Sequence, residues 1–455
     1  MKKTNLLFVA LNYQRVPDQL YLANEIIKIR SDFQIYFYVS QDIFLKYKDL
    51  VSTFPFPIIN KKECNKISEK IEKPSKFKRM LNLFVEFIKT TPLYTQKLII
   101  EESKYFDYLN NCFNKINSEI NEYRFDLFFI NGDRHLREEP VFLKISKVKG
   151  IKTVIPYLVD YSDKERILQT SPNITKRVRR KVFVSSYIWS SQTKKDEDYY
   201  YTHPISNALK KFGVLSENPF AMGAGQSDFL CLNNNHAKDK YITRGVFENK
   251  IKVVGDVSYD DIYFQYNKRS EVKKLILKKY KLDINKKIVI VSLPQLAEHG
   301  ILDWESHWEE IDFLLSNICK LDQNVLVSLH PKMDKNAYEF IENKYGCKIF
   351  NERLRENIAI ADLFVATFSS TIIWSVLCEV NSVVVDFYGL NYKMYDFLKS
   401  VKVVFQKKEL LNALKFTLEQ KIDFTEDWTK LSRKEVFDGQ TIQRYIDLID
   451  EVVKS

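Results

Sequence analysis

At 455 residues the chain exceeds one ordinary hydrophobic core, so two domains are the natural expectation. Its 45% hydrophobic and 14% aromatic content is that of a globular protein, and no apolar stretch reaches the roughly 18 residues of a bilayer span. The net charge of +11, from 70 Lys+Arg against 59 Asp+Glu, either favours an anionic partner or reflects lysines that simply coat the surface.

Residues 1–13, MKKTNLLFVALNY, have a basic start and an apolar run. The run is short and no small-residue cleavage site follows, so it reads as a first buried strand rather than a leader. Short β-rich runs then alternate with helical segments, the pattern of parallel α/β sheets. Strands are expected at 6–13, 33–40, 125–132, 152–159 and 228–234, then at 287–293, 324–330, 363–368 and 382–388. Helices are expected at 307–320 and 371–379. Residues 60–105 are Lys-rich and helical. In that stretch Met80, Leu81, Leu83, Phe84 and Phe87 recur at near-helical spacing beside Lys76, Lys78 and Arg79. This face would either dock on an anionic membrane or pack on the N-terminal domain. Residues 161–217 are polar, aromatic and basic, as in an insertion near a cleft. A hinge is expected around GDVSYDDIYFQYN, 255–267. The resulting division is 1–254, an acceptor-side domain; 255–437, a nucleotide-binding domain; and 438–455, a helix crossing back.

The six cysteines (Cys64, Cys112, Cys231, Cys319, Cys347, Cys378) are scattered without a CxxC pair. This fits small apolar residues in a reducing cytoplasm. His203, His236 and His307 lack metal-ligand spacing. Tyr259-Asp260-Asp261 lies in what reads as a strand leaving for the hinge, so no metal is expected. The basic residues are dispersed and no recognition module stands out, which argues against nucleic acid.

Two motifs carry chemistry. His330-Pro331 and Ser369-Ser370 each follow a predicted strand directly, at the edge where open parallel sheets bind ligands. The serines open a helix whose free N–H groups, with the hydroxyls, suit a phosphate. His330 would add a charge-assisted bond or help leaving-group departure. The plainer readings are a helix cap for Ser369 and a loop histidine for His330.

The segment LHPKM…ADLFVATFSSTIIWSVLCEVNSVVVDFYG resembles the nucleotide site of bacterial capsule and lipopolysaccharide transferases: the sialyl-, polysialyl- and Kdo (keto-deoxyoctulosonate) transferases. The resemblance implies that His330, Pro331, Ser369 and Ser370 hold the phosphate of a CMP-linked donor. Teichoic-acid-type transferases that use CDP-glycerol carry a similar pair. A second resemblance, through FDLFFINGDRH, GIKTVIPYLVD, SDFLCLNN…YITRGVFENKIKVVGDVSYD and KKIVIVSLPQLAEHG, is to the UDP-N-acetylglucosamine 2-epimerase scaffold. Where that family has a His-x-Glu segment this chain has Pro156, Tyr157 and Leu158, and its His-Arg motif is Pro294-Gln295. Together these imply an α/β fold of two Rossmann-like domains facing across a cleft, the GT-B type. They also imply a glycosyltransferase that needs no cofactor beyond its nucleotide sugar and acts on a glycan or lipid-linked acceptor, in the cytoplasm or peripherally at the inner, anionic membrane face.

Transfer calls for a base or a carboxylate nucleophile. Asp133, after Gly132, and Asp160 each end a predicted strand, and either is a base candidate or a turn aspartate. Arg134 and His135 would meet an acidic acceptor or the donor carboxylate. Glu298 and His299 follow the first strand of the second domain, to bind a ribose hydroxyl, polarise a leaving group or form a structural pair. Alternatives to transfer of an acidic sugar from CMP onto a surface glycan are a UDP-sugar epimerase or transferase, a CDP-polyol phosphotransferase, and a non-catalytic nucleotide- or glycan-binding protein.

Overall fold

In a computed structural model, residues 3–12, 15–40, 43, 56–59, 92–158, 194–195, 198–298, 300–330, 333–367, 369–388 and 395–454 are described. The amphipathic face around Lys76–Lys89, and with it Asp160, His299 and Pro331, lies outside these residues. The chain forms two compact units. Unit 1 comprises Met1–Leu232, Ala237–Val254 and Ile442–Ser455; unit 2 comprises Asn233–His236 and Gly255–Thr441.

Unit 1 is built on β1 (Thr4–Ala10), β2 (Phe33–Val39), β3 (Leu127–Phe129), β4 (Lys152–Ile155), β7 (Phe229–Leu232) and β8 (Ile251–Val253). A separate antiparallel pair, β5 (Lys194–Lys195) and β6 (Asp198–Tyr199), stands apart from this sheet. The six main strands are all parallel, in the order β2-β1-β3-β4-β7-β8. Crossover helices cover a parallel sheet on both faces, which is why Leu6–Ala10 form an unbroken run with no exposed surface. Register aligns Phe8 with Phe37 on one side and Phe129 on the other. The three rings stack across the strands at centroid distances of 5.2 and 4.5 Å. The helices include α1 (Val16–Ile29), α2 (Pro92–Ile120), α3 (Glu139–Lys149) and α4 (His203–Phe212).

Unit 2 repeats the plan with β9 (Ile288–Ser292), β10 (Asn324–Ser328), β11 (Lys348–Ile349), β12 (Leu363–Ala366), β13 (Asn381–Val385) and β14 (Val401–Val404). Their order is β11-β10-β9-β12-β13-β14, again parallel throughout. Its helices include α5 (Tyr259–Asn267), α6 (Trp304–Cys319), α7 (Thr371–Leu377) and α8 (Leu410–Glu419). Asp303 caps α6, accepting from the Ser306 N–H at 2.8 Å. Residues 259–267, read as part of a hinge, are helical instead. Asp260 accepts the Thr441 N–H at 2.8 Å and Asp261 pairs with Arg355 at 3.4 Å, so both carboxylates serve packing.

The last helix, α9 (Thr441–Lys454), is part of unit 1 from Ile442 onward. It buries Ile442, Tyr445, Ile446, Leu448, Ile449 and Val452. The Tyr445 hydroxyl accepts the Tyr157 N–H at 2.9 Å, and Arg444 donates to the Val254 carbonyl at 2.8 Å. Arg30–Asp450 and Lys252–Glu451 ion pairs flank it at 2.8 and 2.7 Å. Among the described residues no helix is long and apolar enough to cross a membrane.

Candidate nucleotide site

In each sheet the chain winds from a central strand to one side and then returns to its other side. β1 lies between β2 and β3, and β9 lies between β10 and β12. The loops leaving such a pair part to opposite faces, and the gap at the carboxyl ends of the strands is where open α/β sheets take ligands.

At the unit 2 switch point three loops leave the carboxyl ends of the adjacent parallel strands β10, β9 and β12. The loop after β12 brings Ser369, Ser370 and Thr371. The Ser369 hydroxyl is 2.8 Å from Thr371 Oγ1 and also receives the Thr371 N–H at 3.3 Å, so it shapes the turn. Tyr395 donates its hydroxyl to the Ser369 carbonyl. Ser370 occupies the cap position of α7 in helical conformation without a side-chain cap bond, which leaves its hydroxyl to the half-buried turn surface. The helix is shorter than the sequence predicts. It ends at Leu377, and Glu379 beyond it takes a positive φ of 63°. His330 follows β10 and is exposed. Its backbone holds Met333 from both sides: the His330 N–H donates to Met333 Sδ at 3.3 Å and the His330 carbonyl accepts the Met333 N–H at 2.8 Å.

The loop after β9 contributes Gln295 and Glu298. Glu298 Oε1 accepts from the Tyr338 hydroxyl at 3.2 Å, and Tyr338 Oη lies 2.8 Å from His307 Nε2. Glu298 Oε2, Gln295 Nε2 and His307 Nδ1 are buried atoms without a hydrogen-bond partner among the described residues. His307 is fully buried, and that burial holds its imidazole below the usual histidine range. Burial and the Glu298 carboxylate push the Tyr338 phenol up. Tyr338 was not legible as a site residue. His307 was noted only as lacking metal spacing, although it sits on the apolar stripe His307, Ile311, Leu314, Leu315 and Ile318 of α6.

Unit 1 assigns its predicted residues differently. Asp133 is 3% exposed. Its carboxylate accepts the Gly223 N–H at 3.0 Å, the Gly225 N–H at 2.8 Å and the Ser227 hydroxyl at 2.9 Å. A Cβ on Gly225 would lie 2.7 Å from Asp133 Oδ2, and Gly223 has a φ of +86°, so glycine is required at both positions. These three donors tie the carboxylate of this expected base to the distant segment Gly223–Ser227, a structural bond set. Gly132 makes room for a neighbour, because a Cβ there would meet Met222 Sδ at 2.5 Å. Arg134 is likewise buried, donating to the Pro219 and Phe220 carbonyls at 3.4 and 3.2 Å. Asp133 and Arg134 thus grip the amide end and the carbonyl end of one segment, and the arginine is not presented to an acidic acceptor. His135 is pushed down to about 4 by burial and by Arg134, Arg15 and Arg137. It is therefore a neutral imidazole within a cationic edge between β1 and β3.

No protein-family model matches the chain, and no curated protein matches it in sequence. Solved structures do resemble it. The calicheamicin glycosyltransferase superposes with a TM-score of 0.57 at 9% identity, covering 100% of this chain and 99% of that one. The glycotransferase of kitacinnamycin gives 0.55 at 11%, over 99% and 100%. UDP-GlcNAc 2-epimerase from Methanocaldococcus jannaschii gives 0.51 at 12%, over 98% and 100%. At such identities the likeness establishes the fold: two Rossmann-like α/β units of the kind shared by GT-B glycosyltransferases and UDP-GlcNAc 2-epimerases.

Proposed function

We propose that the chain is a nucleotide-sugar-dependent glycosyltransferase whose donor nucleotide sits at the carboxyl edge of the unit 2 sheet. The observation that carries this reading is that neighbouring strand ends of one switch point carry the Ser370 hydroxyl, the exposed His330 and the buried polar atoms of Gln295 and Glu298 that have no partner among the described residues. Hydroxyls and an imidazole suit a phosphate; an amide and a carboxylate suit the hydroxyls of a sugar or ribose. Transfer is favoured over epimerisation because Tyr157, where the epimerase family has its acid–base segment, is 3% exposed and pinned by Tyr445. The resemblance of the His-Pro and Ser-Ser segments favours a cytidine donor carrying an acidic sugar such as Kdo or a nonulosonate, passed to a glycan or lipid-linked acceptor.

Calorimetric titration with CMP, CDP, UMP and UDP tests the reading. Tight binding is expected for a cytidine nucleotide. His330→Ala and the Ser369→Ala/Ser370→Ala pair should each weaken it by about tenfold or more with the fold unchanged. Equal affinity in wild type and both variants removes the phosphate assignment. Transfer is expected to proceed without added divalent metal; loss in EDTA with rescue by magnesium or manganese contradicts that.

A further inference from the structure

The Tyr338 hydroxyl has one proton. With that proton directed at Glu298 Oε1, the 2.8 Å contact to His307 requires His307 Nε2 to be the donor. The chain of bonds therefore runs in one direction, from His307 Nε2–H to Tyr338 Oη and from Tyr338 Oη–H to Glu298 Oε1. Its far end is anchored in the core, since His307 has no exposed surface and Tyr338 has 1%. Tyr338 ends the short helical turn Lys335–Tyr338, and His307 lies in the first turns of α6, so two elements fix one carboxylate. Among the described residues only Oε1 is engaged. Oε2 stays buried and unpaired, as does the Gln295 amide nitrogen three residues earlier on the same loop. A desolvated acceptor and a desolvated donor left unpaired are costly, and a ligand that supplies both relieves the cost.

We propose that Glu298 and Gln295 receive the ribose hydroxyls of the bound nucleotide, and that Tyr338 and His307 are positioning residues that hold Glu298 for them. This rests on the nucleotide reading above. A hydroxyl both donates and accepts, which matches a carboxylate paired with an amide N–H. The placement fits one nucleotide. β9 and β12 are neighbouring strands with Ser292 aligned to Ala366, and such strands run about 4.8 Å apart. The loop that leaves Ser292 carries Gln295 and Glu298, while the loop that leaves Ala366 carries Ser370. A phosphate on one and a ribose on the other are the spacing of adjacent parts of a nucleotide.

The test compares CMP and UMP with their 2′-deoxy forms by calorimetry, in wild type, Glu298→Gln and Tyr338→Phe. Wild type should prefer the ribonucleotide by about tenfold, the scale of a hydrogen bond to a charged group. Glu298→Gln should erase most of that preference and leave the deoxynucleotide affinity unchanged. Removing the Tyr338 hydroxyl takes away the bond that fixes Glu298 Oε1, so Tyr338→Phe should lose several-fold of the ribose preference while keeping the deoxynucleotide affinity. A purely structural tyrosine would lower affinity equally for both sugars, and that result overturns the positioning role. His307→Gln, which keeps a donor, should restore the wild-type preference where His307→Leu does not. If the ribose preference survives in Glu298→Gln, the ribose assignment falls while the phosphate site stands. If wild type binds no nucleotide, both fall.

Discussion

Asp133 shows how one residue type in one sequence context admits opposite roles. A strand-end aspartate after glycine suits a base, yet its three accepted hydrogen bonds make it the anchor of the segment from Gly223 to Ser227. Asp133→Asn should therefore act on stability: an amide nitrogen would face a backbone or hydroxyl donor. We expect a loss of about 2–4 kcal/mol in urea unfolding, with Gly225→Ala destabilising by a similar route. Retained stability together with lost turnover would return Asp133 to the chemistry. Glu139, the first residue of α3, is 3% exposed with Oε2 unpaired, and burial pushes it up to about 7 from an ordinary 4.5. A carboxyl raised in the folded state leaves stability untouched below pH 4.5 and reduces it as pH rises through 7. Glu139→Gln should accordingly match wild type near pH 4 and exceed it at pH 8 by roughly 2–3 kcal/mol, read from denaturation midpoints. His135, at about 4, and His203, pushed down to about 3 by burial, work the other way. Their stabilisation is complete above the ordinary 6.5 and is lost as pH falls from there toward 4 and then 3. Acid unfolding should thus begin below pH 6.5 and be blunted in His135→Asn if the asparagine packs.

Among the elements, the buried strands were legible because a parallel strand covered on both faces reads as a continuous apolar run. LLFVA, FFI, IVIV and SVVV all lie in strands or directly at their ends. The strands β8, β11 and β14 were not legible. They have two to four residues, and β14 mixes buried Val401 and Val404 with exposed Lys402, a pattern shared by many loops. The α9 helix is the element whose removal tells most. Its Tyr445 hydroxyl accepts the Tyr157 N–H and donates to the Tyr157 carbonyl at 3.4 Å. Tyr445→Phe leaves both backbone groups buried without that partner and should cost about 1–3 kcal/mol. Truncation before Ile442 removes the six buried side chains of the helix face and uncovers the unit 1 surface they pack on, and the shortened protein should aggregate on expression. A melting temperature unchanged by Tyr445→Phe would show that water replaces the hydroxyl.

On the scale of the whole molecule, two compact units with separate six-stranded sheets call for unfolding that departs from a single two-state step. Phe8→Ala breaks the stack of Phe8, Phe37 and Phe129 and should lower the unit 1 transition by about 3–5 kcal/mol. A nucleotide at a hundred times its dissociation constant should stabilise unit 2 by about 2.7 kcal/mol. Scanning calorimetry that shows the ligand shift in the Phe8-sensitive transition would move the nucleotide to unit 1.

The sequence by itself determined the class of fold, nine of the twelve strands in the two six-stranded sheets and the two loops that carry His330 and the serines. Hydrophobic periodicity and strand-end position are local properties, and they survive any arrangement of the rest. Only the tertiary structure decided what the polar residues at those strand ends do. Asp133 lies about ninety residues from its three donors, and Tyr338 lies 31 residues from His307 and 40 from Glu298. Whether a carboxylate is spent on its own backbone or kept for a ligand depends on which distant donors the fold brings within 3 Å, and no local pattern encodes that.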